Sequence, residues 1–253
     1  MQLVLEHVSC VYDRTITALD DISLSIDTGE SVCVAGANGS GKSTLLHVIA
    51  SCMRYSSGEI RIDGEHVKNG MRHGKTGIVF QEPDDQLFMP TVWEDVAFGV
   101  MKRGVPVEKA KAAALAALAS VEAAELAERP PYKLSCGEKQ RAALAAVMVM
   151  EPEILLIDEP TASLDPRARK NLISLLKGTR RTRIIATHDL DMALELADRI
   201  VFLHKGRIAA DCRVPGLLLD ERFLRSIGLE LPLCATRMSE RELLDIQDAS
   251  CSL

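Results

Sequence analysis

Gly36-Ala37-Asn38-Gly39-Ser40-Gly41-Lys42-Ser43 lies between an apolar run, Ser31 to Ala35, and a helix-like run, Thr44 to Ala50. It fits the phosphate-loop pattern G-x-x-x-x-G-K-[S/T] in a strand–loop–helix setting. Three glycines let the backbone turn tightly, so consecutive N–H groups can point at one anion. The following helix adds a partial positive charge at its N-terminus. Lys42 is placed to reach the β- and γ-phosphates of a nucleoside triphosphate, and Ser43 to offer its hydroxyl to Mg²⁺. The alternative, an ordinary glycine-rich turn, does not account for the lysine and hydroxyl at these positions.

The chain has 253 residues, enough for one large α/β domain with an appendage or for two small domains. A hydrophobic content of 47% supports a sizeable core. The formal net charge is −6, and 30 basic residues are scattered along the sequence. That balance speaks against a protein that grips nucleic acid by its phosphates, so no nucleic-acid partner is expected. Seven cysteines form no C-x-x-C pair, and several sit in apolar runs, as reduced thiols do in a cytosolic protein. His66 and His73 have no partner at metal-ligand spacing and read as surface residues. No apolar run reaches the roughly 18 residues of a membrane span, and no targeting signal is recognised. A membrane role is therefore expected to be peripheral and through a partner.

Working outward, Leu3 to Val11 and Ile22 to Ile26 alternate like strands, and Gly58 to Asp63 and Gly77 to Phe80 continue that pattern. Glu108 to Glu128 is rich in Ala and Leu without Gly or Pro, which predicts one helix ended by Pro130-Pro131. A second helix is predicted over about Glu138 to Met150. Ile154 to Ile157 and Arg183 to Thr187 are continuous apolar runs of the kind found in parallel strands buried on both faces. Helices are predicted over Pro166 to Lys177 and Asp191 to Ala197, and a hairpin over Ile200 to Ala210 turning at Lys205-Gly206. Beyond Cys212 the signals weaken to Leu-rich segments broken by Pro215, Gly228 and Pro232, a small appendage without chemistry of its own.

Asp158 and Glu159 directly follow a buried strand, at the edge where ligands gather in an open α/β sheet. Asp158 can hold Mg²⁺ and Glu159 can act as general base on the attacking water. In isolation the pair also reads as acidic turn residues. His188 follows another apolar strand and could reach the γ-phosphate or the water, although a lone histidine there is more often an N-cap or surface residue. Ser135, with Glu138 three residues on, reads as a capping box. The same geometry offers a hydroxyl, N–H groups and a helix dipole to an anion, and since the chain already has one phosphate loop, that anion would belong to another copy.

These motifs together resemble those of the ATP-binding-cassette (ABC) ATPases from about Val4 to Ala210, and in family order. The resemblance makes Gly36 to Ser43 the Walker A loop, Gln81 the Q-loop glutamine, Leu134 to Gln140 the signature and Ile154 to Glu159 Walker B. It makes Ser163 to Pro166 the D-loop, His188 the switch histidine and Tyr12 the aromatic that stacks on adenine. The implied fold is an α/β P-loop NTPase of ABC type. It has a RecA-like core with a parallel sheet, an N-terminal antiparallel β subdomain, an α-helical signature subdomain and a short C-terminal appendage. The implied domains are an ATPase domain over 1–211, with a helical subdomain at about 84–150, and an appendage over 212–253. Nucleotide contacts are implied for Tyr12, Gly36, Ala37, Asn38, Gly39, Ser40, Gly41, Lys42, Ser43 and Thr44, and for Ser135, Gly137, Glu138 and Asp165. Ser43, Gln81 and Asp158 are implied for Mg²⁺, and Glu159, His188 and Gln81 for catalysis of ATP hydrolysis. The signature departs from L-S-G-G in carrying Cys136, whose Cβ could crowd the nucleotide or strain a glycine-like backbone.

Within the family, Gln81-Glu-Pro-Asp-Asp-Gln-Leu-Phe and Thr91-Val-Trp-Glu-Asp-Val-Ala-Phe-Gly99 resemble energy-coupling-factor importer ATPases. Arg129-Pro-Pro-Tyr-Lys-Leu-Ser-Cys-Gly-Glu-Lys does so as well, and Ala186 to Glu195 with Leu229-Glu-Leu-Pro is similar to the cobalt/nickel type. That resemblance implies a head-to-tail homodimer sandwiching two ATPs, at the cytoplasmic face of the cell membrane. It implies a transmembrane coupling subunit docking along Asp84 to Phe98 and a substrate-binding membrane subunit, with cobalt or nickel as cargo. Leu87, Phe88 and Trp93 could instead be core residues. A vitamin importer built on the same ATPase group, and a soluble ABC protein outside transport, are the rivals. About ninety residues separate Lys42 from Ser135 without a heptad run or C-x-x-C, unlike the repair members of the family. A non-hydrolysing scaffold draws its support from Cys136 alone.

Overall fold

The computed structural model describes residues 2–13, 15–71, 73–179 and 181–236. In chain order the elements are β1 (Leu3–Tyr12), β2 (Ile16–Ile26), β3 (Ser31–Ala35), α1 (Lys42–Ile49), β4 (Ser57–Ile62), β5 (Glu65–His66) and β6 (Thr76–Val79). There follow α2 (Val92–Lys102), α3 (Val107–Ser120), α4 (Cys136–Met148), β7 (Ile154–Asp158) and α5 (Pro166–Lys177). The chain continues with β8 (Thr182–Thr187), α6 (Leu190–Leu196), β9 (Arg199–His204), β10 (Arg207–Arg213) and α7 (Glu221–Ser226). They divide into two compact units, residues 2–73 with 181–236, and Gly74–Thr179.

The first unit holds an antiparallel sheet in the order β2-β1-β4-β5. It also carries β3 paired in parallel with β8 on one side and β9 on the other, with β10 antiparallel to β9. Every residue of β3 and of β8 is buried, as expected of strands covered on both faces. The turn at Lys205-Gly206 falls where the sequence puts it, with both residues at positive φ. Where β3 begins, Arg183 is drawn into the interior. Its Nε donates to Ser31 Oγ at 2.7 Å, its Nη2 donates to Leu196 O at 3.1 Å, and the Ser31 N–H meets Asp198 Oδ2 at 2.9 Å. Burial lowers the Arg183 pKa, and these acceptors keep the buried cation hydrogen-bonded.

In the second unit β6 and β7 pair in parallel, Gly77 opposite Leu155, and α2, α3 and α4 pack together. A Cβ on Gly77 would lie 2.4 Å from Val147 Cγ1 of α4 and 3.0 Å from Pro152 Cγ, so α4 sits directly on this strand. The Ala- and Leu-rich stretch is not one helix to Glu128. α3 stops at Ser120, and Glu122 turns left-handed at φ 54°. Ala123 N then bonds Leu118 O at 2.9 Å and Glu122 N bonds Ala119 O at 3.1 Å, a Schellman ending built on glutamate instead of glycine. The gain is burial, because Val121, Ala123 and Leu126 beyond the break are all fully buried. Helix propensity loses here to packing, and the sequence carries no glycine to announce it.

Smaller differences concern boundaries and thiols. β2 starts at Ile16, six residues earlier than the alternation suggests, and α4 begins at Cys136 instead of Glu138. Cys10 and Cys33 are buried, Cys136 and Cys212 partly so, and Cys52 and Cys234 are exposed. Cys251 lies outside the described residues. No helix among the described residues is long and apolar enough to cross a membrane.

Gly77→Ala is expected to destabilise the protein by about 1–3 kcal/mol through overpacking between β6 and α4, read as a lowered Tm by calorimetry.

Candidate functional site

The phosphate loop connects β3 to α1 and is fixed by close backbone approach. A Cβ on Gly36 would lie 2.4 Å from Leu203 O, and one on Gly41, at φ 108°, would lie 2.5 Å from Ala18 O. Side chains at these positions would collide with carbonyl groups that have nowhere to go. Gly206 N bonds Ser40 O at 3.0 Å and pins the loop from outside. Lys42 is only 6% exposed, and its Nζ donates to Gly36 O at 2.8 Å and Ala37 O at 3.3 Å. Its ammonium is thus held over the concave side of the loop. The Ser40 hydroxyl is buried without a hydrogen-bond partner among the described residues. A cradle of N–H groups that no Cβ can fill, with a buried cation above it, fits a bound triphosphate.

Two more expected residues belong to this unit. The Tyr12 hydroxyl lies 2.9 Å from Thr44 Oγ1, so the tyrosine is tied to the first turn of α1. His188 is exposed just after β8. It is not an N-cap. Asp189 fills that position, its Oδ1 accepting from Met192 N at 3.0 Å while its own N–H bonds Thr187 Oγ1. From the same helix α6, Asp191 accepts the N–H groups of Leu233 and Cys234 at 2.8 and 2.9 Å, anchoring the C-terminal turn.

In the second unit Asp158 ends β7 and Glu159 follows it, 3% and 5% exposed. Glu159 has φ 41°, a left-handed conformation that costs a non-glycine residue energy. Gln81 is exposed after β6, and the segment that follows is fastened to α4. Gln86 accepts from Phe80 N at 3.3 Å and donates to Ala143 O at 3.0 Å, and Lys139 Nζ meets both oxygens of Asp84 at 2.7 and 2.8 Å. Next, Asp95 takes the N–H groups of Phe88 and Met89 on one oxygen, both at 2.9 Å. Leu87 is buried and therefore a core residue, whereas Phe88 is 63% exposed with its ring edge-on to Phe98.

Ser135 caps α4, and Glu138 closes a capping box with it, as the spacing predicts. Arg129 joins the network through a 2.9 Å bond to Glu138 Oε1. Cys136 is the first residue of α4 and does not adopt a positive φ, so the strained glycine-like backbone expected for it is not present. Its thiol pKa is raised by burial and then by the nearby carboxylate of Glu82. Gly137 packs on α5, where a Cβ would lie 2.9 Å from Ala168 Cβ. Asp165 caps α5 by accepting from Arg167 N and Ala168 N, both at 2.9 Å. A hollow of about 140 Å³ lined by Ser135, Gly137, Glu138 and Asp165 runs between these two helix starts. Arg129, Gln86 and Asp95 lie in stretches that carry the family resemblance, but the sequence assigns none of them a role; each acts through a contact between residues distant in the chain or across a turn.

The sequence family described as ABC transporter matches residues 19–162, more than half of the chain. The chain belongs to the ABC transporter family. This ABC ATPase, an ATP-hydrolysing subunit by its family, is 38% identical over 239 residues to the cobalt import ATP-binding protein CbiO of Rhodobacter capsulatus, covering 91% of this chain and 85% of that one. It is likewise 38% identical over 239 residues to the energy-coupling factor transporter ATP-binding protein EcfA of Methanothermobacter thermautotrophicus, covering 91% and 77%. Among solved structures, the dimeric post-hydrolysis state of the ATP-binding cassette MJ0796 bound to ADP and Pi superposes with a TM-score of 0.76. That match has 29% identity and covers 85% of this ABC ATPase and 99% of that chain.

Gly41→Ala is expected to weaken nucleotide affinity by about tenfold or more, because an alanine can neither hold φ 108° nor clear Ala18 O; titration with a fluorescent ATP analogue reads it. Asp95 gives a pH test. Burial raises its pKa against the two N–H bonds that lower it, so the fold favours the protonated form. Its contribution to stability is full below the ordinary value of 3.8 and is lost as pH rises through the folded value. Asp95→Asn is expected to be more stable than the parent at pH 7 in urea unfolding, with the advantage vanishing as the pH approaches 3.8.

Proposed function

We propose that this ABC ATPase powers an energy-coupling-factor importer for a transition-metal cation, cobalt or nickel, and works as a head-to-tail homodimer on the cytoplasmic face of the membrane. The observation that carries the hydrolytic part is Glu159, buried and held at φ 41° immediately after Asp158. A buried carboxylate in a strained turn directly after a second buried carboxylate suits one group for metal and the other for proton transfer. The cargo rests on the relative named for cobalt import and on the resemblance of Ala186 to Glu195 and of Leu229-Glu-Leu-Pro to the cobalt/nickel type.

In this reading Tyr12 stacks on adenine, and the N–H groups of Gly36 to Thr44, with Lys42, hold the phosphates. Ser43, Gln81 and Asp158 would hold Mg²⁺, which when bound offsets phosphate charge and polarises the phosphoryl oxygens. Glu159 takes the proton of the attacking water, and His188 hydrogen-bonds the γ-phosphate. Ser135, Gly137, Glu138 and Asp165 of a second copy cover the nucleotide from the other side. Closure depends on the γ-phosphate because both copies touch it, and its loss reopens the pair. Gln81 couples this cycle to a transmembrane subunit docked along Asp84 to Phe98, where exposed Phe88 offers an apolar contact. That subunit works with a substrate-binding membrane subunit.

Glu159→Gln is expected to lower hydrolysis by about 10²-fold or more and to accumulate an ATP-bound dimer on size-exclusion chromatography. Hydrolysis at the parent rate removes Glu159 as base. For the cargo, cells expressing the full complex should accumulate radiolabelled cobalt or nickel, and the Lys42→Ala complex should not. Equal accumulation by both removes the metal-import reading.

A further inference from the structure

Glu138 is an oddity where an anion is to be received. It stands in the first turn of α4 with Oε2 accepting the Ser135 N–H at 2.7 Å and the Ser135 hydroxyl at 2.9 Å. A glutamine would close the same capping box without a charge. The Ser135 N–H, followed by the Ser135 hydroxyl and Arg129, holds the Glu138 carboxyl below the usual carboxylate range, so it is an anion at neutral pH. A triphosphate brought to Ser135 by a second copy therefore meets a negative charge bound to the very hydroxyl it needs. Like charges brought together across an interface oppose association.

Arg129 is built against this charge. One arm of its guanidinium donates to Glu138 Oε1 at 2.9 Å, and the other donates to Lys133 O at 2.9 Å, spanning the turn that leads into the signature. The pair is half-sheltered, with side-chain exposures of 43% for Arg129 and 24% for Glu138. No other cation contacts Glu138 among the described residues. Lys139 is engaged with Asp84, and Arg141 donates to the carbonyl of Glu122.

We propose that Arg129 is an electrostatic positioning residue for the signature: paired with Glu138, it cancels the carboxylate's charge and loosens its hold on the Ser135 hydroxyl, so that Ser135 can turn to the γ-phosphate carried by a second copy. This rests on the dimer reading above. It assigns to a residue outside the signature motif a role in closure, acting through Glu138 without touching nucleotide. Arg129 thereby sets how much ATP is needed to close the dimer, and leaves ATP binding to the phosphate loop of a single copy as it is.

The test uses the full chain in the Glu159→Gln background, with the fraction of dimer followed by light scattering as Mg·ATP is raised. Arg129→Met is expected to raise the ATP midpoint of dimerisation by about tenfold. Binding of a fluorescent ATP analogue by the monomer stays within about twofold of the parent. In a Glu138→Gln background the same Arg129→Met change should move the midpoint by less than about threefold relative to Glu138→Gln alone, because the charge it would leave unpaired is gone. Loss of an Arg129 that served only to brace the turn through Lys133 O would shift the midpoint equally in both backgrounds. An unchanged midpoint in Arg129→Met, or a tenfold shift that persists in the Glu138→Gln background, overturns the proposal while the dimer reading stands. If the Glu159→Gln parent stays monomeric at saturating Mg·ATP, the dimer reading fails and this inference falls with it.

Discussion

The phosphate loop exists because its backbone is pressed against its neighbours more closely than any side chain would allow. Leu203 O and Ala18 O occupy the space where Gly36 and Gly41 would carry a Cβ. The loop is therefore wedged in place by strands that have their own reasons to be there. β3 and β9 are paired along their length, and β8 closes the other side of β3. The cost of folding a chain into a tight ring of N–H groups is met by burying these strands on both faces. The buried ammonium of Lys42, bonded to two loop carbonyls, completes a surface suited to anions.

The second unit is organised around one helix. α4 receives the side chains of Gln86, Asp84 and Arg129 and lies on Gly77 of β6. Its N-terminus carries the signature serine and its body holds the segment that follows Gln81. That segment is thus fastened by hydrogen bonds and an ion pair to the helix that Ser135 caps.

Legibility was uneven for physical reasons. The phosphate loop, the Asp158-Glu159 pair and the Ser135–Glu138 box are local patterns, and a local pattern survives in one dimension. The break after Ser120 was hidden because Glu122 does what glycine usually does, and the burial of Val121 and Leu126 outweighs the conformational cost. The role of Asp95 was hidden because its partners are the N–H groups of Phe88 and Met89 in a preceding loop, a contact that no local spacing announces. The strain expected at Cys136 did not arise, since the first position of an α-helix asks for no positive φ.

The sequence by itself determined the family, and it marked out the candidates for holding phosphate, metal and a proton. Spacing and residue type are legible there because each motif is built within a few consecutive residues at the end of a strand or the start of a helix. Tertiary structure decided the conformations and the supports. It set Glu159 in a left-handed turn, gave the cap of α6 to Asp189 and not His188, and placed Arg129 on Glu138. Those outcomes depend on what is buried against what, and burial is a property of the packed chain that no short stretch of sequence contains.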